Sequence, residues 1–210
     1  MKLRFAKLTL AGLTLVATAA LHAKNTEAIA YGRATVVLTP AVLQQLAAHR
    51  ISVTDLSRAP LHAGANVLPA LEGAIDLDTS FNEVVYGGGY VFTVGSNVIQ
   101  IRSLTLDLVG PSAVFSGIVI KNGAFVGREA IFSIIALGGP PPLPIVPVNG
   151  TISHNGLSLS FEEPFISLIN AAAGDTGLNT TTQIATLDLY SVLAPLSGSG
   201  SWPPPPPYPW

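Results

Sequence analysis

The chain has no cysteine and one methionine among its 210 residues, and Asp, Glu, Lys and Arg together make up only 10% of it. Without thiols there are no disulfides and no thiolate metal sites, so stability has to come from apolar packing. Ordinary globular proteins carry about 25% charged residues, and here the few basic side chains form no cluster dense enough to grip nucleic-acid phosphates or an anionic membrane surface. No stretch reaches the roughly 18 to 20 consecutive apolar residues of a membrane-spanning helix. The expectation is therefore no nucleic-acid partner and no transmembrane anchor.

What the chain does have is 49% hydrophobic residues, 20 glycines and 17 prolines, a balance that favours short strands and turns over helices. Residues 1–23 have the form of an export signal: Lys2, Arg4 and Lys7 precede the apolar run Leu8 to Leu21, and Leu21-His22-Ala23 ends on the small residue a signal peptidase requires. Its removal takes three basic residues, leaving 7 Lys and Arg against 12 Asp and Glu. The expected mature protein is exported, to the periplasm, the cell surface or the medium. It comprises a single β-rich domain at 24–196 and a Ser/Gly/Pro-rich tail at 197–210. Two glycosylation sequons, Asn149-Gly150-Thr151 and Asn179-Thr180-Thr181, matter only in a host that modifies them.

Arg33 to Leu38 is β-branched and runs into Thr39-Pro40, a helix cap followed by the favoured first helical residue. Val42, Leu43, Leu46 and Ala47 then recur at helical spacing. The same strand-into-helix order returns at Leu157 to Phe161, where Glu162-Glu163-Pro164 opens a helix that Gly174 stops. This similarity suggests a degenerate internal duplication. Between the two units the period is 2: strands are expected at 74–78, 83–86, 90–94, 98–108, 113–120 and 130–135. Gly95-Ser96-Asn97 and Lys121-Asn122-Gly123 are the hairpin turns, because Asn and Gly accept positive φ. Gly87-Gly88-Gly89, between Tyr86 and Tyr90, is expected to be a sharp hairpin or a bulge. In strand 98–108, Leu104 and Leu106 are expected inward, Thr105 and Asp107 outward in water. The proline-rich run 138–147 is a surface loop. The tail joins a flexible Ser-Gly segment to the polyproline rod Trp202 to Trp210, expected to add nothing to the fold and to serve as a recognition element.

Candidate chemistry is sparse. Asp76 and Asp78 flank Leu77, so on a strand both carboxylates share one side about 7 Å apart. That suits general acid and base work or Ca²⁺, but more simply the wet face of a strand. His49, His62 and His154, the histidines outside the signal, show no ligand spacing. No Gly-x-Ser-x-Gly elbow marks a nucleophile, and Gly87 to Gly89 lacks the strand-turn-helix setting of a phosphate loop.

Three segments carry a resemblance: Val36-Val-Leu-Thr-Pro-Ala-Val-Leu-Gln-Gln-Leu46, Tyr86-Gly-Gly-Gly-Tyr-Val-Phe92 leading into 98–108, and the late helix ending Leu168-Ile-Asn-Ala-Ala172. Together, over roughly residues 31–173, they resemble a group of exported bacterial β proteins distantly similar to the HtaA-type domains of surface haem-acquisition proteins. The resemblance implies haem iron held through a tyrosine supported by a histidine, for which Tyr86, Tyr90 and His154 are the nearest candidates here. The expected fold is a mainly β, antiparallel β-sandwich or meander with two short α-helices. The expected function is a non-catalytic binding module for haem, another small apolar ligand or a protein partner; the cofactor is unknown. The alternatives are a secreted hydrolase using Asp76 and Asp78, and a structural surface or matrix protein.

Overall fold

The computed structural model describes residues 26–77, 82–109, 112–135 and 147–194. The export signal, the tail, Asp78 and nearly all of the proline-rich loop lie outside these residues. The described chain is mainly β, with nine antiparallel strands and two helices. These are β1 (Thr26–Leu38), α1 (Pro40–Ala48), β2 (Ile51–Asp55), β3 (Ala65–Asp76), β4 (Asn82–Val94), β5 (Asn97–Val109), β6 (Ser112–Lys121), β7 (Ala124–Ile135), β8 (Thr151–Phe161), α2 (Glu163–Ala173) and β9 (Ala185–Leu193).

The strand order is β2-β4-β3-β1-β9-β8-β7-β6-β5, and β4 also pairs with β5, so eight strands return on themselves as a closed ring. The remaining strand, β2, pairs with the C-terminal half of β4 only, Ile51 opposite Val94 through Asp55 opposite Tyr90. Closure leaves each strand one inner and one outer face, and the period-2 pattern follows it: Ala34, Val36 and Leu38 are buried while Arg33, Thr35 and Val37 lie outside.

Both helices sit at one end of the ring, because each continues a strand that ends beside the start of β9: Leu38 and Leu159 both pair with Ala185. Thr39 caps α1 by accepting a hydrogen bond from the Val42 amide at 3.2 Å. Helix α2 begins after Glu162, carries Pro164 in its first turn and ends at Gly174, whose φ is +82°. Its apolar stripe, Phe165, Ile166 and Ile169, closes the ring's interior. The core is strongly aromatic. Phe165 lies 5.2 Å from Phe161, Phe161 5.6 Å from Phe132, Phe132 6.5 Å from Phe115, and Phe115 5.9 Å from Tyr86. This column runs from the helical end toward the opposite end, and each such pair adds about 0.5 to 1.5 kcal/mol beyond the area it buries.

Several expectations need correction. Residues 83–86 and 90–94 form one strand, with Gly87 to Gly89 a bulge inside it: the partner register jumps from Tyr86 opposite Leu104 to Gly89 opposite Arg102. Thr105 is buried, not wet, because Arg128 reaches across from β7. Its Nη1 donates to the Thr105 hydroxyl at 2.9 Å, to the Ser116 hydroxyl at 3.2 Å and to the Ser103 carbonyl at 3.2 Å. Strand β3 starts at Ala65, well before residue 74, and contains Pro69. That proline is tolerated because β4 pairs only with residues 70–75 of β3, so Pro69 sits on an edge and removes no ladder bond there.

Candidate functional site

The ring's second end is where the three candidate residues can be judged. Tyr86 lies on β4 just before the bulge, paired with Ala70 of β3 and Leu104 of β5, and is 1% exposed. His154 lies on β8 opposite Leu189 of β9, just before a second bulge at 154–157. Gly156 makes that bulge possible with φ +69°, and the Asp188 carboxylate fixes it by accepting from the Gly156 amide at 2.7 Å. Two strands from opposite sides of the ring thus deliver a phenol and an imidazole to one small cavity of about 20 Å³, lined otherwise by Ile75, Val84, Leu106, Ile152, Leu189 and Ser191.

The lining is five aliphatic side chains, one ring hydroxyl, one imidazole and one buried serine hydroxyl, with no carboxylate among them. Burial raises the Tyr86 phenol well above its ordinary value, with no hydrogen bond offsetting it. Burial likewise lowers His154, so the imidazole is neutral near pH 7. The cavity therefore presents uncharged donors and acceptors in an apolar wall. It has room for about one water molecule.

Tyr90 is not part of this lining. The bulge carries it to the other half of β4, where its ring lies 5.9 Å from Phe132 and 6.2 Å from Phe92 in the core. Its hydroxyl is fully buried and makes no well-formed hydrogen bond to any described residue. The Asn66 amide beside it, committed to the Gly89 carbonyl at 2.8 Å, offsets only part of the burial that raises the Tyr90 phenol. The structure thus unites two of the three candidates and leaves Tyr90 a core residue.

Asp76 sits half-buried at the end of β3, next to Ile75 of the lining, while its intended partner Asp78 lies outside the described residues. Among the described residues no three His, Asp or Glu side chains are grouped to hold a metal ion. Ser191 and Leu189 were not anticipated from sequence, although Thr186-Leu187-Asp188-Leu189-Tyr190 alternates as a half-buried strand does.

A closed antiparallel β domain, sealed by two helices at one end and carrying a neutral phenol and imidazole pocket at the other, is the class these features define. No family model matches the sequence, and no curated protein matches it. Among solved structures the chain is similar to the C-terminal domain of HtaA from Corynebacterium glutamicum, with a TM-score of 0.60 and 15% identity over 80% of this chain and 99% of that one. At that identity the likeness is one of fold, and it bears out the distant resemblance to HtaA-type domains. Among the described residues no helix is long and apolar enough to cross a membrane.

Proposed function

We propose that the protein is an exported, non-catalytic binding module whose ligand enters at the Tyr86 and His154 end of the ring. The observation that carries this reading is the convergence of Tyr86, His154 and Ser191 on one otherwise aliphatic cavity. Apolar walls with a few placed polar groups are the usual composition of a small-molecule site. Catalysis finds less support there, since among the described residues no carboxylate stands on the lining to orient His154 as a base.

Haem is the ligand the HtaA likeness suggests. A phenol and a neutral imidazole are suitable donors for its iron, but a cavity of about 20 Å³ does not take the macrocycle, since pockets for molecules of drug size run to roughly 300–1,000 Å³. The fit is better for an apolar ligand that inserts a small polar head between the strand ends, meeting Tyr86, His154 and Ser191.

Equilibrium titration with the fluorophore 1-anilinonaphthalene-8-sulfonate, whose sulfonate is a compact polar head on an apolar body, and, separately, with ferric haem tests this. Saturable fluorophore binding weakened several-fold by His154→Ala, with Asp76→Asn unchanged, is the expected result. No saturable binding of either probe overturns the reading. A Soret shift lost in Tyr86→Phe would place the macrocycle at this end and replace the small-ligand reading with haem.

A further inference from the structure

On the outer wall of the ring, away from the cavity, Arg33 of β1 pairs in register with Pro69 of β3 on one side and Tyr190 of β9 on the other. The Arg33 guanidinium lies 5.8 Å from the centre of the Tyr190 ring, and the Tyr31 and Tyr190 rings are 6.4 Å apart. Beside them on β3 the outward Val67 and Leu71 are 57% and 66% exposed. The wall is a tract of two tyrosines, an arginine, a proline and two aliphatics. Paired aromatic rings with apolar neighbours are the surface on which polyproline helices dock, since proline rings pack between aromatic faces.

Such a segment is at hand. The described chain leaves this wall at Ala194, four residues past Tyr190, where the Ala194 amide donates to the Ala28 carbonyl at 2.7 Å. It continues as Pro195 to Ser201, with Gly198 and Gly200, and then Trp202-Pro-Pro-Pro-Pro-Pro-Tyr-Pro-Trp210. A random coil of that length spans about 15 Å. A nine-residue polyproline rod is about 28 Å long, close to the roughly 30 Å of a nine-residue strand such as β9.

We propose that residues 202–210 fold back and dock on the outer wall of their own chain, along β9 and β1, with Tyr31, Arg33 and Tyr190 receiving the proline and tryptophan rings. The joint makes the contact intramolecular, with an effective concentration of order millimolar. The rod is preorganised, so little entropy opposes docking. The contact covers the exposed Val67 and Leu71, and because it lies outside the ring it adds nothing to the core. It is independent of any ligand at the Tyr86 and His154 end.

The chain's two tryptophans are Trp202 and Trp210, so intrinsic tryptophan fluorescence reports on this segment alone. The experiment compares the full chain with a free peptide of residues 201–210. In the full chain the emission should be shifted to the blue and acrylamide quenching should be several-fold weaker, both independent of protein concentration. Tyr190→Ala and the surface change Leu71→Ser should each return the values toward those of the peptide, with the far-ultraviolet dichroism unchanged. Phe125→Ala, at the exposed start of β7, should not. Emission and quenching equal to the peptide's overturn the proposal, as does protection that neither wall variant moves. Protection that grows with protein concentration also overturns it, in favour of docking on a second copy.

Discussion

The backbone of Gly89 runs so close to that of Ile101 that any Cβ on Gly89 would overlap the Ile101 carbonyl oxygen. This approach is what lets β4 bulge and still pair with β5, putting Tyr86 at the pocket and Tyr90 in the core. Gly89→Ala should therefore cost about 3 kcal/mol or more, through overlap and strain at φ +146°. Gly95, at φ +58° in a turn with nothing within 4 Å of a built Cβ, should cost only about 1 kcal/mol on the same change. Urea midpoints measure both. Equal losses would show that the bulge does not depend on the close approach.

Leu106 is 1% exposed on β5 and lines the pocket. Leu106→Ala should lose about 2 to 5 kcal/mol through the lost burial and the cavity left behind. Thr105→Val, on the other face, should lose about 1 to 2 kcal/mol, because it strips Arg128 of one hydrogen-bond acceptor. Chemical denaturation that found Thr105→Val neutral would mean Arg128 does not cover it.

Burial holds His154 below its ordinary value of about 6.5. The unfolded chain then binds a proton more readily than the folded one, so this contribution is intact above that value and is lost as pH falls below it toward the folded value. Stability should decline as pH falls below about 6.5, and His154→Gln should flatten that part of the curve. Asp107 has the opposite sign: burial, with Glu83 directly opposite, raises it, so its contribution improves as pH falls through the ordinary carboxylate range. Thermal melts across pH separate the two windows. An unchanged slope in His154→Gln would assign the pH dependence elsewhere.

The proposed export predicts loss of residues 1–23. Mass spectrometry of the exported protein should find a new amino terminus between about Ala20 and Ala28, since the small residue Ala23 follows the apolar run at the spacing a signal peptidase uses. Recovering chains that begin at Met1 from outside the cytoplasm would contradict this.

Local chemistry made part of the fold legible. Thr39-Pro40 and Glu163-Pro164 mark both helix starts, Gly95-Ser96 and Asn122-Gly123 mark the β4–β5 and β6–β7 hairpins, and Leu104 and Leu106 face inward as their spacing implies. Strand β2 alternates as Ile51-Ser-Val-Thr but has only five residues, too few to stand out between α1 and the turn that follows, and β9 closes the ring by pairing β1 with β8, a long-range choice no local pattern states. Thr105 was misplaced for a similar reason: what buries it is Arg128, two strands away. At the site, Tyr86 and His154 were legible as residue types but their meeting was not, because it depends on two bulges and on closure of the ring. Tyr86 and Tyr90 look equivalent around three glycines until the bulge sends one to the pocket and the other into the core.

The most direct test of the Tyr86 and His154 end as the binding site is an amide NMR titration of the protein with 1-anilinonaphthalene-8-sulfonate. Saturable shifts should cluster on Val84, Tyr86, Leu106, Ile152, His154, Leu189 and Ser191, the strand ends that meet at the cavity. Shifts confined to other surfaces, or no saturable shifts at all, would contradict it.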